Sequence, residues 1–219
     1  MIEDTIKQIE HQLAGKAALI AVTKTKPVAL LREAYDAGCR RFGENKVQEM
    51  AEKQPQLPAD VEWHLIGHLQ TNKVKYIAPF VALIQSVDSL RLLQEINKQA
   101  SRQNRTIDCL LQIYIADEET KFGLSADEAE ALLADAALDE LPNIRIIGLM
   151  GLATNTGNED QVRQEFRGLK ALYDKLAQIQ RPMIQFSELS MGMSGDYQLA
   201  VEEGSTMVRV GSAIFGSRN

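Results

Sequence analysis

The sequence predicts an α/β protein, a closed (β/α)8 TIM barrel formed by residues 1–219 as a single domain. Three observations carry this. Short apolar runs alternate with longer amphipathic stretches. No Gly/Ser/Pro-rich linker, low-complexity tract or charge block divides them. The first run ends in TKTKP, without the glycine fingerprint that a doubly wound open sheet, the competing fold, usually places there. Strict alternation implies parallel strands joined by crossover helices, and eight such units close on themselves. The 219 residues lie at the small end of the range for this fold, ~200 to more than 400.

The candidate strands are residues 18–24, 41–44, 62–67, 82–87, 107–115, 144–152, 186–193 and 207–211. Several are almost continuously hydrophobic, as strands covered on both faces are. Between them lie helical patterns. Residues 28–37 and 196–203 are each followed by a glycine, Gly38 and Gly204, where a left-handed C-terminal residue is wanted. Asp88-Ser89 can cap a helix carrying Leu90, Leu93 and Ile96, and Ser125 with Glu128 makes a capping box. After Asn158, the residues Val162, Phe166, Leu169, Tyr173 and Leu176 recur at helical spacing.

Composition excludes several classes. Lys plus Arg number 24 and Asp plus Glu 30, a net charge of −6, which argues against nucleic acid or an anionic membrane as main partner. With 45% hydrophobic and 25% charged residues the chain has the composition of an ordinary globule, not of a disordered protein. Cys39 and Cys109 are too few for a disulfide scaffold and read as buried small hydrophobes in a reducing compartment. The N-terminus MIEDTIKQIEHQ has no signal-peptide core, and no apolar run approaches the roughly 20 residues of a membrane span. A cytoplasmic protein is expected. The lack of an obvious apolar outer patch fits a monomer.

In a barrel, function gathers where strands run out into the following loops. Lys24 closes the run ALIAVTK, so its amine is expected at the barrel mouth among apolar walls, where desolvation favours the neutral nucleophile. An aldehyde is the natural electrophile. The plainer reading is a solvated lysine like its neighbour Lys26. In MVRVGS, strand parity turns Val208 and Val210 toward the helices and Met207, Arg209 and Gly211 inward. An inward arginine is either a ligand contact or half of a buried ion pair, for instance with Glu44. The loops SMGMSGDY and VGSAIFGS are rich in Gly and Ser, so their backbone N–H groups and the hydroxyls of Ser194 and Ser212 can hold a phosphate. Each glycine alone is a turn residue. The conjunction of lysine, arginine and phosphate nest is what points to one site.

Weaker candidates read as structure. His64 and His68 are four apart without an HExxH pattern, so a hydrogen-bonded pocket histidine is expected rather than zinc. Trp63 reads as an outward packing residue, the acids at 117–119 as a solvated loop, and Tyr197 as a lid or a helix-start residue.

The blocks AVTKTKP, RRFGENKVQE, WHLIGHLQTNK, ETKFGL, IIGLMGLAT, LSMGMSGDYQLAV and GSTMVRVGSAIFG resemble the signature blocks of the pyridoxal-phosphate homeostasis protein family. These are single-domain relatives of the barrel half of alanine racemase. The likeness runs from about residue 18 to the C-terminus, and the main departure is a short N-terminal segment. It implies the cofactor pyridoxal 5′-phosphate, with Lys24 as the Schiff-base lysine of the V-[ST]-K-x-K block. It further implies phosphate contacts at Ser194, Gly211 and Ser212, and Arg209 near the pyridine nitrogen. Asn45, His64 and Met150 fall in blocks that line the same pocket, and Lys121 falls where the family has a lysine linked to cofactor exchange.

The resemblance leaves a cofactor carrier, which could serve pyridoxal-phosphate-dependent apo-enzymes, against a racemase. Two features favour the carrier. Two-base racemisation needs a base on each face of the cofactor, one of which alanine racemase brings as a tyrosine from an additional β-domain; here the sequence runs only seven residues past Ser212. A cationic Arg209 beside the ring nitrogen would also weaken the ring as an electron sink, which disfavours transamination in particular.

Overall fold

The computed structural model describes residues 1–117 and 122–216. Eight strands form a closed barrel in chain order: β1 (Ala18–Val22), β2 (Arg41–Glu44), β3 (Glu62–Leu65), β4 (Leu83–Val87), β5 (Ile107–Ile113), β6 (Ile144–Gly151), β7 (Ile184–Met193) and β8 (Met207–Val210). Every neighbouring pair is parallel, and β1 closes on β8 with Ile20 opposite Arg209. The α-helices among the described residues are α1 (Ile2–Leu13), α2 (Val28–Asp36), α3 (Val47–Lys53), α4 (Val74–Ile77), α5 (Leu90–Arg102), α6 (Ala126–Ala134), α7 (Glu159–Leu176), α8 (Tyr197–Glu202) and α9 (Ser212–Phe215). The expected barrel is the observed one.

Its helices begin where the capping residues stand. The hydroxyl of Ser89 accepts from the N–H of Leu92, that of Ser125 from Glu128, and Asn158 Oδ1 accepts from Gln161. Gly38 and Gly204, at φ 104° and 103°, take the positive-φ positions past α2 and α8. Strand alternation then divides the buried residues into two sets. Phe42, Trp63, Val208 and Val210 lie in the larger cluster between strands and helices, where Phe42 and Trp63 meet edge-to-face at 5.9 Å. Ile20, Leu83, Leu110, Met150 and Met207 form a small apolar plug inside the barrel. Cys39 and Cys109 are buried and unpaired, and burial pushes the Cys39 thiol up to about 11.

Strand boundaries shift by up to two residues. β1 stops at Val22, leaving Lys24 in a turn rather than at a strand end, and β7 starts at Ile184, two residues before the expected run, because its first half is polar and partly exposed and does not read as an apolar stretch. Among the described residues, no helix is long and apolar enough to cross a membrane.

Candidate functional site at the barrel mouth

A cavity of about 410 Å³ opens at the C-terminal ends of β1, β6, β7 and β8. It is lined by Lys24, Ser194, Gly211 and Ser212, together with Thr154, Asn155 and Asp196. Four of the residues singled out in the sequence are therefore neighbours in space. Period-two alternation continues past the end of β1: Val22 and Lys24 line the cavity, whereas Thr23, between them, turns outward and bonds Glu44.

On the opposite wall, the backbone N–H groups of Gly211 and Ala213 both donate to Ser194 Oγ, at 3.1 and 3.4 Å. Two amides from one loop thus converge on a single oxygen. A Cβ at Gly211 would lie 3.1 Å from both Val22 Cβ and Val22 O, so glycine keeps this loop against β1. Lys26 is not the solvated lysine its sequence suggests, because its Nζ donates to the carbonyls of Phe215 and Gly216 at 3.1 Å. It ties down the far end of α9, whose first residue is Ser212. Asp196 Oδ1 accepts from the N–H of Met193 and bends the β7 loop; burial raises its pKa. On a third side Glu165 takes both the N–H and the hydroxyl of Thr154, which itself accepts from the N–H of Asp117.

Arg209, His64 and Met150 lie inside the barrel and do not line this cavity. The Arg209 guanidinium is 1% exposed and donates to Ser190 Oγ and, at 2.8 Å, to the carbonyl of Gly151. The ion pair with Glu44 does not form, because parity turns Glu44 out of the barrel, where it meets Lys53 at 2.6 Å. Burial lowers the Arg209 pKa to about 10, the Asp196 charge opposing it, so the group stays a cation. The Ser190 hydroxyl donates a hydrogen bond to Gln85 Oε1, and the Gln85 amide N–H then faces His64 Nδ1 at 2.9 Å. Nδ1 must accept, which places the ring proton on Nε2. Desolvation, helped by the charge of Arg41, lowers the His64 pKa to about 3. His64 is the hydrogen-bonded histidine expected.

Asn45 and His68 line a neighbouring cavity of about 590 Å³ with Lys46, Lys73 and Tyr76. His68 Nδ1 stands 3.7 Å from Asp88, and no cluster of metal ligands occurs among the described residues. Tyr197 starts α8 and bonds Gln12, which is the helix-start role rather than a lid. Lys121 lies outside the described residues.

A family model for the alanine racemase N-terminal domain matches residues 1–219. The pyridoxal phosphate homeostasis protein of Aquifex aeolicus (strain VF5) is 41% identical over 203 residues, which is 92% of this chain and 87% of that protein. The chain belongs to the pyridoxal phosphate homeostasis protein family. The member of this family from Haemophilus influenzae is 38% identical over 221 residues, covering 100% of this chain and 92% of that one. Among solved structures, PipY of Synechococcus elongatus PCC7942 without PLP superposes with a TM-score of 0.91 at 37% identity, over 99% of this chain and 100% of that one. Its form with PLP bound gives a TM-score of 0.88 over the same shares.

For this member of the pyridoxal phosphate homeostasis protein family, sequence reasoning missed Ser190, Gln85, Thr154 and Glu165. Gln85 and Ser190 carry a recoverable signal in strand parity, which turns Gln85 inward with Leu83 and Ser190 inward between the outward Leu189 and Met191. Thr154 and Glu165 carry none, since a threonine in a loop and a glutamate on an amphipathic helix are ordinary.

Proposed function

We propose that this protein binds pyridoxal 5′-phosphate at the barrel mouth, through a Schiff base to Lys24, and holds and releases it in vitamin B6 homeostasis without turning over a substrate. The observation that carries this is the single cavity shared by Lys24 and the Ser194–Gly211–Ser212 wall. The residues suit the group. Amides that converge on one oxygen are the donor set a phosphate needs. A lysine on the facing wall is the amine an aldehyde needs, the C=N bond forming with loss of one water. The relatives' names and the PLP-bound PipY structure support the same ligand.

When bound, the cofactor supplies an electrophilic aldehyde and a conjugated ring. Ser194, Gly211 and Ser212 would hold the phosphate, while Lys26 keeps their loop in place from behind. Arg209 does not line the cavity, but it is bonded only to neutral oxygens, so its field would extend to a bound ring and disfavour protonation of the ring nitrogen. That weakens the electron sink and suits holding better than carbanion chemistry. Pyridoxal-phosphate-dependent apo-enzymes are the proposed recipients, with the protein acting as a cytoplasmic monomer.

The test loads the purified protein with pyridoxal 5′-phosphate, removes excess, and adds an apo-enzyme of this cofactor class. Recovery of that enzyme's activity, with no racemisation of amino acids by the loaded protein, supports the reading. Cofactor that stays bound, or racemisation that Lys24→Ala abolishes, would overturn it in favour of an enzyme.

A further inference from the structure

We infer that Lys53, with Glu44 and Glu49, is a positioning device that holds the backbone on both sides of Lys24 and so aims its amine into the cavity. This rests on the Lys24 reading above. Lys24 occupies a turn, not a strand, so the β ladder does not fix it. The next residue, Thr25, has φ 62°. A β-branched side chain there is strained and persists only where its surroundings over-determine the backbone.

The surroundings do so from outside the barrel. Lys53, at the C-terminal end of α3, is buried and places Nζ 2.8 Å from the carbonyl of Thr23, 2.6 Å from Glu44 Oε1 and 2.9 Å from Glu49 Oε2. An ammonium has three hydrogens, and all three are used. Glu44 Oε1 also accepts from the Thr23 hydroxyl at 2.7 Å, and Glu49 Oε2 accepts from the N–H of Thr25 at 2.8 Å. The residues before and after Lys24 are therefore pinned to the same three charges. None of the three lines the 410 Å³ cavity, so they act on Lys24 through its backbone.

A purely structural role accounts for this poorly. Glu44 is fully buried and its Oε2 has no hydrogen-bond partner. Well-packed apolar residues often fill such a space at no loss of stability. What apolar residues lack is the means to reach a carbonyl on one side of Lys24 and an amide on the other.

The test uses the full chain with two probes, pyridoxal 5′-phosphate and its aldehyde-free analogue pyridoxine 5′-phosphate. Visible absorbance follows Schiff-base formation, and calorimetry gives the affinity of the analogue. In Lys53→Met and in Glu49→Ala, Schiff-base formation slows by about tenfold or more, the scale of a misplaced reacting group. Affinity for the analogue stays within about twofold, since the phosphate wall is untouched. Adding Thr25→Gly to Glu49→Ala restores most of the rate, because glycine adopts the positive φ without strain. If Lys53→Met fails to fold, Glu49→Ala, whose glutamate is partly exposed, carries the measurement. An unchanged rate in folded variants, or parallel loss of both probes, overturns the positioning role. A wild-type protein that forms no Schiff base overturns the Lys24 reading itself, and the inference with it.

Discussion

Two buried polar systems flank the barrel wall, and they are built in opposite ways. Outside, between β1, β2 and α3, Lys53 meets two carboxylates and a carbonyl, so every charge there has a charged partner. Inside, Arg209 meets a hydroxyl and a carbonyl, and the chain runs on through Gln85 to a neutral His64. The inner one is sealed from water, while the outer one reaches the surface through the partly exposed Glu49. The outer one spends its charge on its own members and fixes the backbone. The inner one keeps a cation whose bonded partners are all neutral, so its field reaches beyond them. Burial alone therefore does not say whether a charge is spent within its own network; the character of its partners does.

The largest effect expected from that contrast is on the outer system. Lys53→Met leaves Glu44 buried without its cation and should cost about 3 to 5 kcal/mol in urea denaturation. Glu44→Leu combined with Lys53→Met should recover most of this, because removing both charges removes the desolvation cost. A double variant no better than the single would mean that the pair is not what stabilises the site.

On the inner system, Ser190→Ala strips a buried guanidinium and a buried amide of one partner each, for roughly 2 to 3 kcal/mol. It should also change the affinity for pyridoxal 5′-phosphate and pyridoxine 5′-phosphate alike, whereas Glu44→Leu with Lys53→Met should slow covalent attachment and leave the affinity for pyridoxine 5′-phosphate within about twofold. Equal effects of the two on equilibrium binding of pyridoxine 5′-phosphate would erase the distinction.

The next effect is a pH dependence. His64 has its folded-state pKa lowered from 6.5 to about 3. Its contribution is fully present above the unfolded value and is lost as pH falls toward the folded one. Between pH 7 and pH 5 this amounts to about 2 kcal/mol of lost stability. His64→Gln should remove that part of the slope, checked by denaturation at both pH values. A smaller effect is expected far from either system: Ser89→Ala, at the α5 cap, should cost about 1 kcal/mol and leave cofactor binding unchanged.

Much of this was legible in the sequence because burial on both faces writes parallel strands as apolar runs, and because caps are local. Ser89, Ser125 and Asn158 start their helices through hydrogen bonds made within three residues. Parity alone turned Arg209 inward and Val208 outward. Lys24, Ser194, Gly211 and Ser212 could be grouped because strand ends converge in a barrel. The outer network was not legible. Lys53 sits in a helix whose neighbours include Glu49 and Glu52, and nothing local distinguishes an inward lysine from a solvated one. Its meaning arises only where α3 packs over β1 and β2. The pairing of Arg209 with Glu44 failed for a related reason: both are buried and opposite in charge, but they face opposite sides of the wall.

The most direct measurement of the central claim is borohydride reduction of the protein after incubation with pyridoxal 5′-phosphate, followed by peptide mapping of the adduct. One stable adduct is expected, on Lys24, and none in Lys24→Ala. An adduct on Lys26 or Lys53, or the absence of any, would contradict it.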